Sequence, residues 1–267
     1  MGRRHPLAMA AGIMPEASPI ELVRCAAGAG FDFGGMWIET DQWTDATTRE
    51  VKRVLDDTGL ALLDIEVVWL KPGPADPAHV RIVEVGAELG ARNVLCVSSD
   101  PDMGATRDKL AVLAARGGAL GIRVNLEFGL FTEVKTIGDA SAMLRAVDQP
   151  AMGLLIDALH WQRSGGTLDE IAAVPAAWLG YAQLCDAPLR GADPGDPAAI
   201  IAEAIDGRVA LGAGGLPLAE ILARLPEGLP IGIEERSRAL REGWPDLPAR
   251  ARRLMETSRA WFERVPA

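Results

Sequence analysis

The stretch GLLIDALHWQRSGG, residues 153–166, shows the unit from which the chain is built. A short apolar run ends at Asp157, a helix-like segment follows, and His160 lies three positions beyond the acid. An apolar run that leads into a helix is typical of a β-strand and its crossover helix in a parallel sheet. The acid at the junction has two interpretations, the N-cap of the next helix or a functional group at a strand end.

The same unit recurs along the whole chain. Apolar runs predict strands at residues 7–13, 33–38, 60–67, 92–98, 122–128, 152–157, 179–185 and 230–234. Helix-like segments with start signals follow them, and Ser18 before Pro19 is a typical N-cap. Strands that are apolar throughout suit a parallel sheet covered on both faces. This pattern in 267 residues predicts an α/β fold, a single (β/α)₈ TIM barrel domain over residues 1–267.

An open doubly wound sheet is the main alternative arrangement. It would favour a Gly-rich phosphate-binding loop after an early strand, and the sequence has none there. The run LGAGGLP at 211–217 has neither the Walker lysine nor a GxGxxG spacing. We interpret that run as a turn, which leaves the barrel as the favoured fold.

Charge and hydropathy argue against several functional classes. The 27 Lys and Arg residues against 37 Asp and Glu give a net charge of −10, which disfavours nucleic-acid binding. No apolar run approaches the roughly eighteen residues of a membrane span. The start, with Arg3-Arg4 before the apolar residues 7–14, is similar to a short secretion signal, but Pro15-Glu16 ends it abruptly. We interpret the segment as the first strand and expect a cytoplasmic protein.

The cysteines give no sign of a disulfide framework or a metal site. Cys25, Cys96 and Cys185 are odd in number and far apart, and no CxxC pair occurs. We therefore expect three small buried thiols in a reducing compartment.

Four consecutive predicted strands carry an oxygen-bearing side chain near their C-terminal ends. These are Glu127 on strand five, Asp157 on strand six, Gln183 on strand seven and Glu234 on strand eight. The active site of a barrel lies at these ends, so we expect the four side chains to converge. Carboxylates at one place need a cation between them, and oxygen ligands favour Mg²⁺ or Mn²⁺ over zinc. A single acid after a strand is as often a helix cap, and we interpret Asp186 and Glu235 in that way.

Five further residues lie near the predicted rim and are candidate substrate-binding groups. His160, just beyond strand six, is either a surface or capping residue or a group that contacts a substrate oxygen. Trp37 and Trp69 fall at the ends of strands, where they could wall a pocket or simply pack in the core. Glu66 lies late in strand three, and Arg190 lies in the loop after strand seven.

These segments together resemble a known family. They read VNLEF at 124–128, GLLIDALHWQRSGGTLDEIAAVP from 153, GYAQLCDAP from 180 and LPIGIEERSRA from 229. The sequence resembles the sugar phosphate isomerase/epimerase family, the xylose-isomerase-like TIM barrels, over essentially the whole chain. The family's pattern implies a metal held by Glu127, Asp157, Gln183 and Glu234. Its Asp-x-x-His motif implies that His160 lies near the substrate.

The sequence departs from the family's pattern at two places. In the family the strand-seven ligand is often histidine. This chain has Gln183 at that position, and in this it is similar to hydroxypyruvate isomerases and some dehydroshikimate dehydratases. The segment before strand eight often contains a Gly-Glu pair, and here it reads LGAGGLPL. Endonuclease IV belongs to the same superfamily, but it needs several histidines for its zinc cluster, and this chain has three.

The resemblance implies proton transfer next to a carbonyl of a small sugar or keto-sugar, with or without a phosphate group. Glu127 and Glu234 would form the acid/base pair, and the metal would stabilise an enediolate. Return of the proton to the same carbon or to its neighbour gives an epimerase or an isomerase. A metal-dependent lyase of the 3-dehydroshikimate dehydratase type is the main alternative. A non-catalytic barrel and a retaining glycosidase are further ones.

The family also implies a homodimer or homotetramer. We expect a small-molecule substrate and neither a nucleic acid nor a membrane as partner.

Overall fold

The fold is a closed barrel of eight parallel strands. The computed structural model describes residues 5–265. Each strand pairs with the next along the chain, and the last pairs with the first. The strands are β1 (Leu7–Met9), β2 (Phe33–Trp37), β3 (Ala61–Leu70), β4 (Asn93–Ser98), β5 (Arg123–Glu127), β6 (Met152–Asp157), β7 (Ala182–Leu184) and β8 (Ile231–Ile233). The predicted α/β TIM barrel is confirmed.

Helices follow the strands along the chain. They are α1 (Pro19–Ala29), α2 (Asp45–Thr58), α3 (Pro77–Glu88), α4 (Met103–Leu120), α5 (Ile137–Val147), α6 (Ala158–Arg163), α7 (Leu168–Ala173), α8 (Pro197–Asp206), α9 (Leu218–Leu222), α10 (Arg238–Gly243) and α11 (Leu247–Arg264). The predicted start of α1 is confirmed, because Ser18 and Glu21 form a reciprocal capping box there. Thr44, Thr136 and Thr167 begin three further helices in the same way.

All eight predicted strands are present, and those predicted at 7–13 and 179–185 are shortened the most. The run at 7–13 is a strand only over Leu7–Met9 and continues as a 3₁₀ helix at Ala11–Ile13. The run at 179–185 is a strand only over Ala182–Leu184 and follows a 3₁₀ helix at Ala176–Trp178. The residues that follow the two short strands, Ala10 and Cys185, are buried too, so hydrophobicity alone could not mark where the strands end.

Side chains fill the inside of the barrel. A buried cluster separate from the main core contains Ala8, Phe33, Leu63, Leu95, Val97, Leu155 and Tyr181. Further inside, Asn125 donates to Asn93 Oδ1 over 3.0 Å. A Cβ on Gly153 would lie 2.2 Å from Asn125 Oδ1 and 2.9 Å from the Trp178 carbonyl oxygen, so this position needs glycine. The filled interior leaves one open end at which side chains can meet a ligand.

The glycine-rich run 211–217 is a turn, as predicted. Asp186 holds it, because the backbone N–H groups of Gly212, Gly214 and Leu216 all donate to the Asp186 carboxylate at 2.9–3.0 Å. The interpretation of Asp186 as a helix cap is therefore wrong. Glu235 is not a cap either, since Ser237 caps α10.

The predicted burial of the three cysteine thiols is confirmed. Cys25, Cys96 and Cys185 are all buried and none forms a disulfide. Among residues 5–265, no helix combines the length and apolarity needed to cross a bilayer.

Candidate active site

A cavity of about 330 Å³ opens at the C-terminal ends of the strands. Six predicted site residues line it: Trp37, Glu66, Trp69, Glu127, His160 and Glu234. Arg208, Arg236 and Glu39 complete its charged lining, and Phe131, Ile201 and Ile205 add apolar surface. A concave apolar site with a few converging charged groups is the usual form of a small-molecule site.

Three carboxylates meet at the base of this cavity. Glu127, Asp157 and Glu234 each place an oxygen within 4.8 Å of the others, and all three side chains are buried. They come from the ends of β5, β6 and β8, as the strand-end argument predicts. The convergence of these three residues required the barrel, since up to 107 positions of sequence separate them.

Gln183 lies on the strand between two of these acids. The register of β7 pairs Gln183 with Asp157 on one side and with Gly232 on the other. Its side chain is fully buried, and neither Oε1 nor Nε2 has a hydrogen-bond partner among the described residues. A buried amide without partners is costly, so this group is suited to a ligand.

Arg208, which the sequence analysis missed, occupies the same cluster. Its side chain is 2% exposed, and its Nη1 donates to Asp157 Oδ2 over 2.6 Å. The same atom lies 3.8 Å from Glu234 Oε2, and Nη2 lies 3.2 Å from His160 Nε2. Nε donates to the Ala204 carbonyl oxygen at 2.9 Å, which anchors the side chain to the end of α8.

Burial and mutual repulsion set the ionisation of the acids. Burial, with the negative charges of its two partners, raises the pKa of Glu127 well above its usual value. Burial also raises the pKa of Glu234 to about 8, against the opposing effect of Arg208. Burial acts on Asp157 too, but the Arg208 charge and the His160 N–H outweigh it and lower the Asp157 pKa.

The donor set fits one divalent cation. Three carboxylates and one arginine have a net charge of −2 when all are ionised, and a divalent ion would neutralise it. Glu234 Oε2 and both polar atoms of Gln183 have no hydrogen-bond partner among the described residues. Carboxylate and amide oxygens are the ligands of hard cations. The buried cluster is therefore a candidate divalent-metal site.

Asp157 caps a helix and also belongs to the buried cluster. Its Oδ1 accepts the backbone N–H of His160 at 2.9 Å and so caps α6, while Oδ2 faces Arg208 in the cluster. This cap also sets the position of His160, because it fixes the first turn of α6 beside the cavity. Burial lowers the pKa of His160 to about 4, so the ring is neutral at pH 7, with Nε2 oriented to accept from Arg208.

The aromatic residues form walls. Trp37 donates its Nε1 proton to Glu66 Oε2 over 2.7 Å, and Trp69 donates to Ser99 Oγ over 2.8 Å. The Phe131 ring packs between Trp69 and His160, with ring centroids 6.0 and 4.6 Å away. These contacts fix the ring positions at the cavity edge.

Arg190 is the predicted site residue that lies neither in the cavity lining nor in the buried cluster beneath it. It is exposed and is not among the described residues of the cavity lining. Two other arginines lie there instead. Arg236 follows Glu234 by two residues, so the strand-end search could have found it. Arg208 follows a helix, where no strand-based signal exists.

The family model described as Xylose isomerase-like TIM barrel matches residues 23–264. The chain belongs to this family. The resemblance predicted from the four sequence segments is thus confirmed.

The relatives of this xylose isomerase-like barrel are named as enzymes of several kinds. A 3-dehydroshikimate dehydratase from Pseudomonas aeruginosa is 29% identical over 188 residues, which are 65% of this chain and 29% of that protein. The chain thus matches less than a third of that longer enzyme.

Solved structures share the fold at low identity. The IOLI protein with a bound zinc atom has a TM-score of 0.80 at 14% identity, over 98% of this chain and 99% of that one. D-allulose 3-epimerase from Methylomonas sp. has a TM-score of 0.69 at 17% identity, over 98% and 100% of the two chains. At these identities the similarity shows the shared fold alone.

Proposed function

We propose that this protein is a divalent-metal-dependent enzyme that removes a proton from the carbon next to a carbonyl of a small hydroxylated substrate. The reaction is isomerisation or epimerisation. The observation that carries the proposal is the buried cluster of Glu127, Asp157 and Glu234, open to a cavity on one side. Such a cluster is suited to proton transfer because its acids can be either protonated or ionised near neutral pH.

Two acids of the cluster reach the cavity. Glu127 and Glu234 line it, whereas Asp157 is fully buried beneath and binds Arg208. One of the two glutamates would remove the proton, and the other would return it. Return to the opposite face of the same carbon gives an epimer, and return to the adjacent carbon gives an isomer.

The surrounding residues would support proton transfer by Glu127 and Glu234. Mn²⁺ or Mg²⁺ bound by Glu127, Asp157, Gln183 and Glu234 would supply Lewis-acid stabilisation of negative charge on the carbonyl oxygen. Arg208 would keep Asp157 ionised and help to lower the pKa of Glu234. Trp37, Trp69 and Phe131 would exclude water from the reacting carbon.

A lyase of the 3-dehydroshikimate dehydratase type is a second candidate with equal support. The 29% identical Pseudomonas aeruginosa relative favours it. In that reaction the first step is the same. The carbon–oxygen bond of a neighbouring hydroxyl then breaks, and the second glutamate protonates the leaving oxygen to give water.

Deuterium exchange tests the shared step and separates the two candidates. The protein is incubated in D₂O with Mn²⁺ and with each member of a panel of ketoses and 3-dehydroshikimate, and the products are followed by proton NMR. We expect loss of the signal of the hydrogen next to the carbonyl for one substrate class. A new epimer or isomer supports the first candidate, and an unsaturated product with release of water supports the second.

The same experiment can contradict the proposal. Unchanged exchange after removal of divalent ions with a chelator would rule out the metal-dependent step. An absence of exchange for every compound, with Mn²⁺ shown to be bound, would count against proton abstraction itself.

A further inference from the structure

Arg236 is a cation in the cavity that has no ion-pair partner among the described residues. It lies two residues beyond β8 and lines the cavity beside Glu234. Within residues 5–265, its side chain donates no hydrogen bond and forms no ion pair, and its Nε is buried without a partner. An arginine side chain carries five N–H donors, so these N–H groups lack acceptors among the described residues.

Packing holds Arg236 in this place. A Cβ on Gly12 would lie 2.7 Å from Arg236 Cδ, so the glycine makes room for the side chain. The guanidinium carbon lies 5.3 Å from the centre of the Trp37 ring, within the range of a cation–π contact. Trp37 in turn is fixed by its hydrogen bond to Glu66. The guanidinium is therefore placed at the cavity without the help of a counter-ion.

The nearby acids do not neutralise this charge. Arg208 and a divalent ion together would match the three carboxylates of the cluster. Glu66 is 3% exposed. Burial and the negative charge of Asp64 raise its pKa to about 8, the Arg236 charge opposes this rise, and no ion pair joins Glu66 to Arg236 among the described residues. Glu39 at the rim is exposed and makes no ion pair with Arg236. One positive charge is left for a ligand.

We propose that Arg236 binds the carboxylate of the substrate and thereby selects hydroxylated acids over neutral sugars. This inference rests on the proposed function in taking the cavity as the substrate site. A guanidinium offers two parallel N–H groups to a carboxylate, which adds geometric selectivity to charge attraction. Trp37 beneath the guanidinium and Ile201 and Ile205 at the mouth would receive an apolar ring face.

Binding without turnover tests this assignment. Shikimate has a ring, hydroxyls and a carboxylate but no carbonyl, so it cannot undergo the proposed proton transfer. Calorimetric titrations of the Mn²⁺-loaded protein with shikimate, with its methyl ester and with fructose 6-phosphate compare an acid, a neutral ester and a phosphate. The variants are Arg236→Gln and, as a matched control, Arg190→Gln, which removes the same charge from an exposed position.

We expect the wild-type protein and Arg190→Gln to bind the acid at least 10-fold more tightly than the ester. Arg236→Gln should weaken binding of the acid by about 10- to 100-fold and leave ester binding unchanged, since one charge-assisted contact is lost. Retention of the acid preference in Arg236→Gln would overturn the proposal. So would tighter binding of the phosphate than the acid, or no binding of shikimate to the wild-type protein. Because no reaction occurs, failure of the proposed chemistry does not affect this result.

Discussion

Replacement of Arg208 by methionine is the most direct perturbation of the buried cluster. Methionine keeps an unbranched side chain and removes the guanidinium. The change leaves Asp157 buried without the Nη1 donor that lies 2.6 Å from its Oδ2. It also removes the donor at His160 Nε2 and brings no positive charge to replace the one lost.

The expected loss of stability follows from the burial of both partners. The side chains of Arg208 and Asp157 are 2% and 0% exposed, so solvent screens their interaction little. Removal of one partner of a buried ion pair costs about 3–5 kcal/mol, because the remaining charge is left uncompensated. We expect the free energy of unfolding to fall by about this amount in the absence of divalent ions.

Urea unfolding at pH 7, followed by circular dichroism, measures this change. Measurements in a chelator give the loss of unfolding free energy without a metal ion. Measurements with added Mn²⁺ show how much of that free energy a bound cation restores. Arg208 and a cation would compete for the same negative charge, so Mn²⁺ should stabilise the variant more than the wild-type protein. Arg190→Gln is the control and should stay within about 0.5 kcal/mol of wild type.

Two results would refute this reasoning. A loss below about 1 kcal/mol in the chelator would mean that the Arg208–Asp157 pair contributes no more than an exposed pair. An equal or smaller effect of Mn²⁺ on the variant would mean that the arginine and the cation do not share the cluster.

Three further predictions concern the acids. Glu127→Gln and Glu234→Gln should each lower turnover at least about 100-fold with an unchanged circular dichroism spectrum; near-normal rates in either variant would remove that residue from the proton transfer. Burial raises the pKa of Glu235 to about 7. Its ionisation therefore destabilises the fold as pH rises from about 4.5 to 7, and Glu235→Gln should gain up to about 3 kcal/mol over wild type at pH 8 and nothing at pH 4; a pH-independent difference in chelator-treated protein would contradict this. Asp186→Ala should cost about 2–4 kcal/mol, because three backbone N–H groups of residues 212–216 lose their acceptor; a smaller loss in urea unfolding would show that the turn is held by other contacts.

Much of the architecture could be predicted because its signals are local. Apolar runs, N-cap residues such as Ser18 and the spacing of the units depend on a few neighbouring residues. These local signals were sufficient to predict the eight strands, the barrel and the acids at successive strand ends. Strand lengths were less predictable, since residues beside the short strand β7 are as buried as those within it.

The sequence by itself determined that Glu127, Asp157 and Glu234 stand at strand ends, where a closed parallel barrel must bring them together. Only the tertiary structure decided which cations join them. Arg208 meets Asp157 across 51 positions of sequence from the end of a helix, and Arg190, which seemed better placed in the loop after β7, is exposed. The physical reason is that strand order fixes where strand ends lie, whereas the path of a loop depends on packing with distant residues. Arg236 shows the same dependence, because its position follows from the space that Gly12 leaves at the other end of the chain.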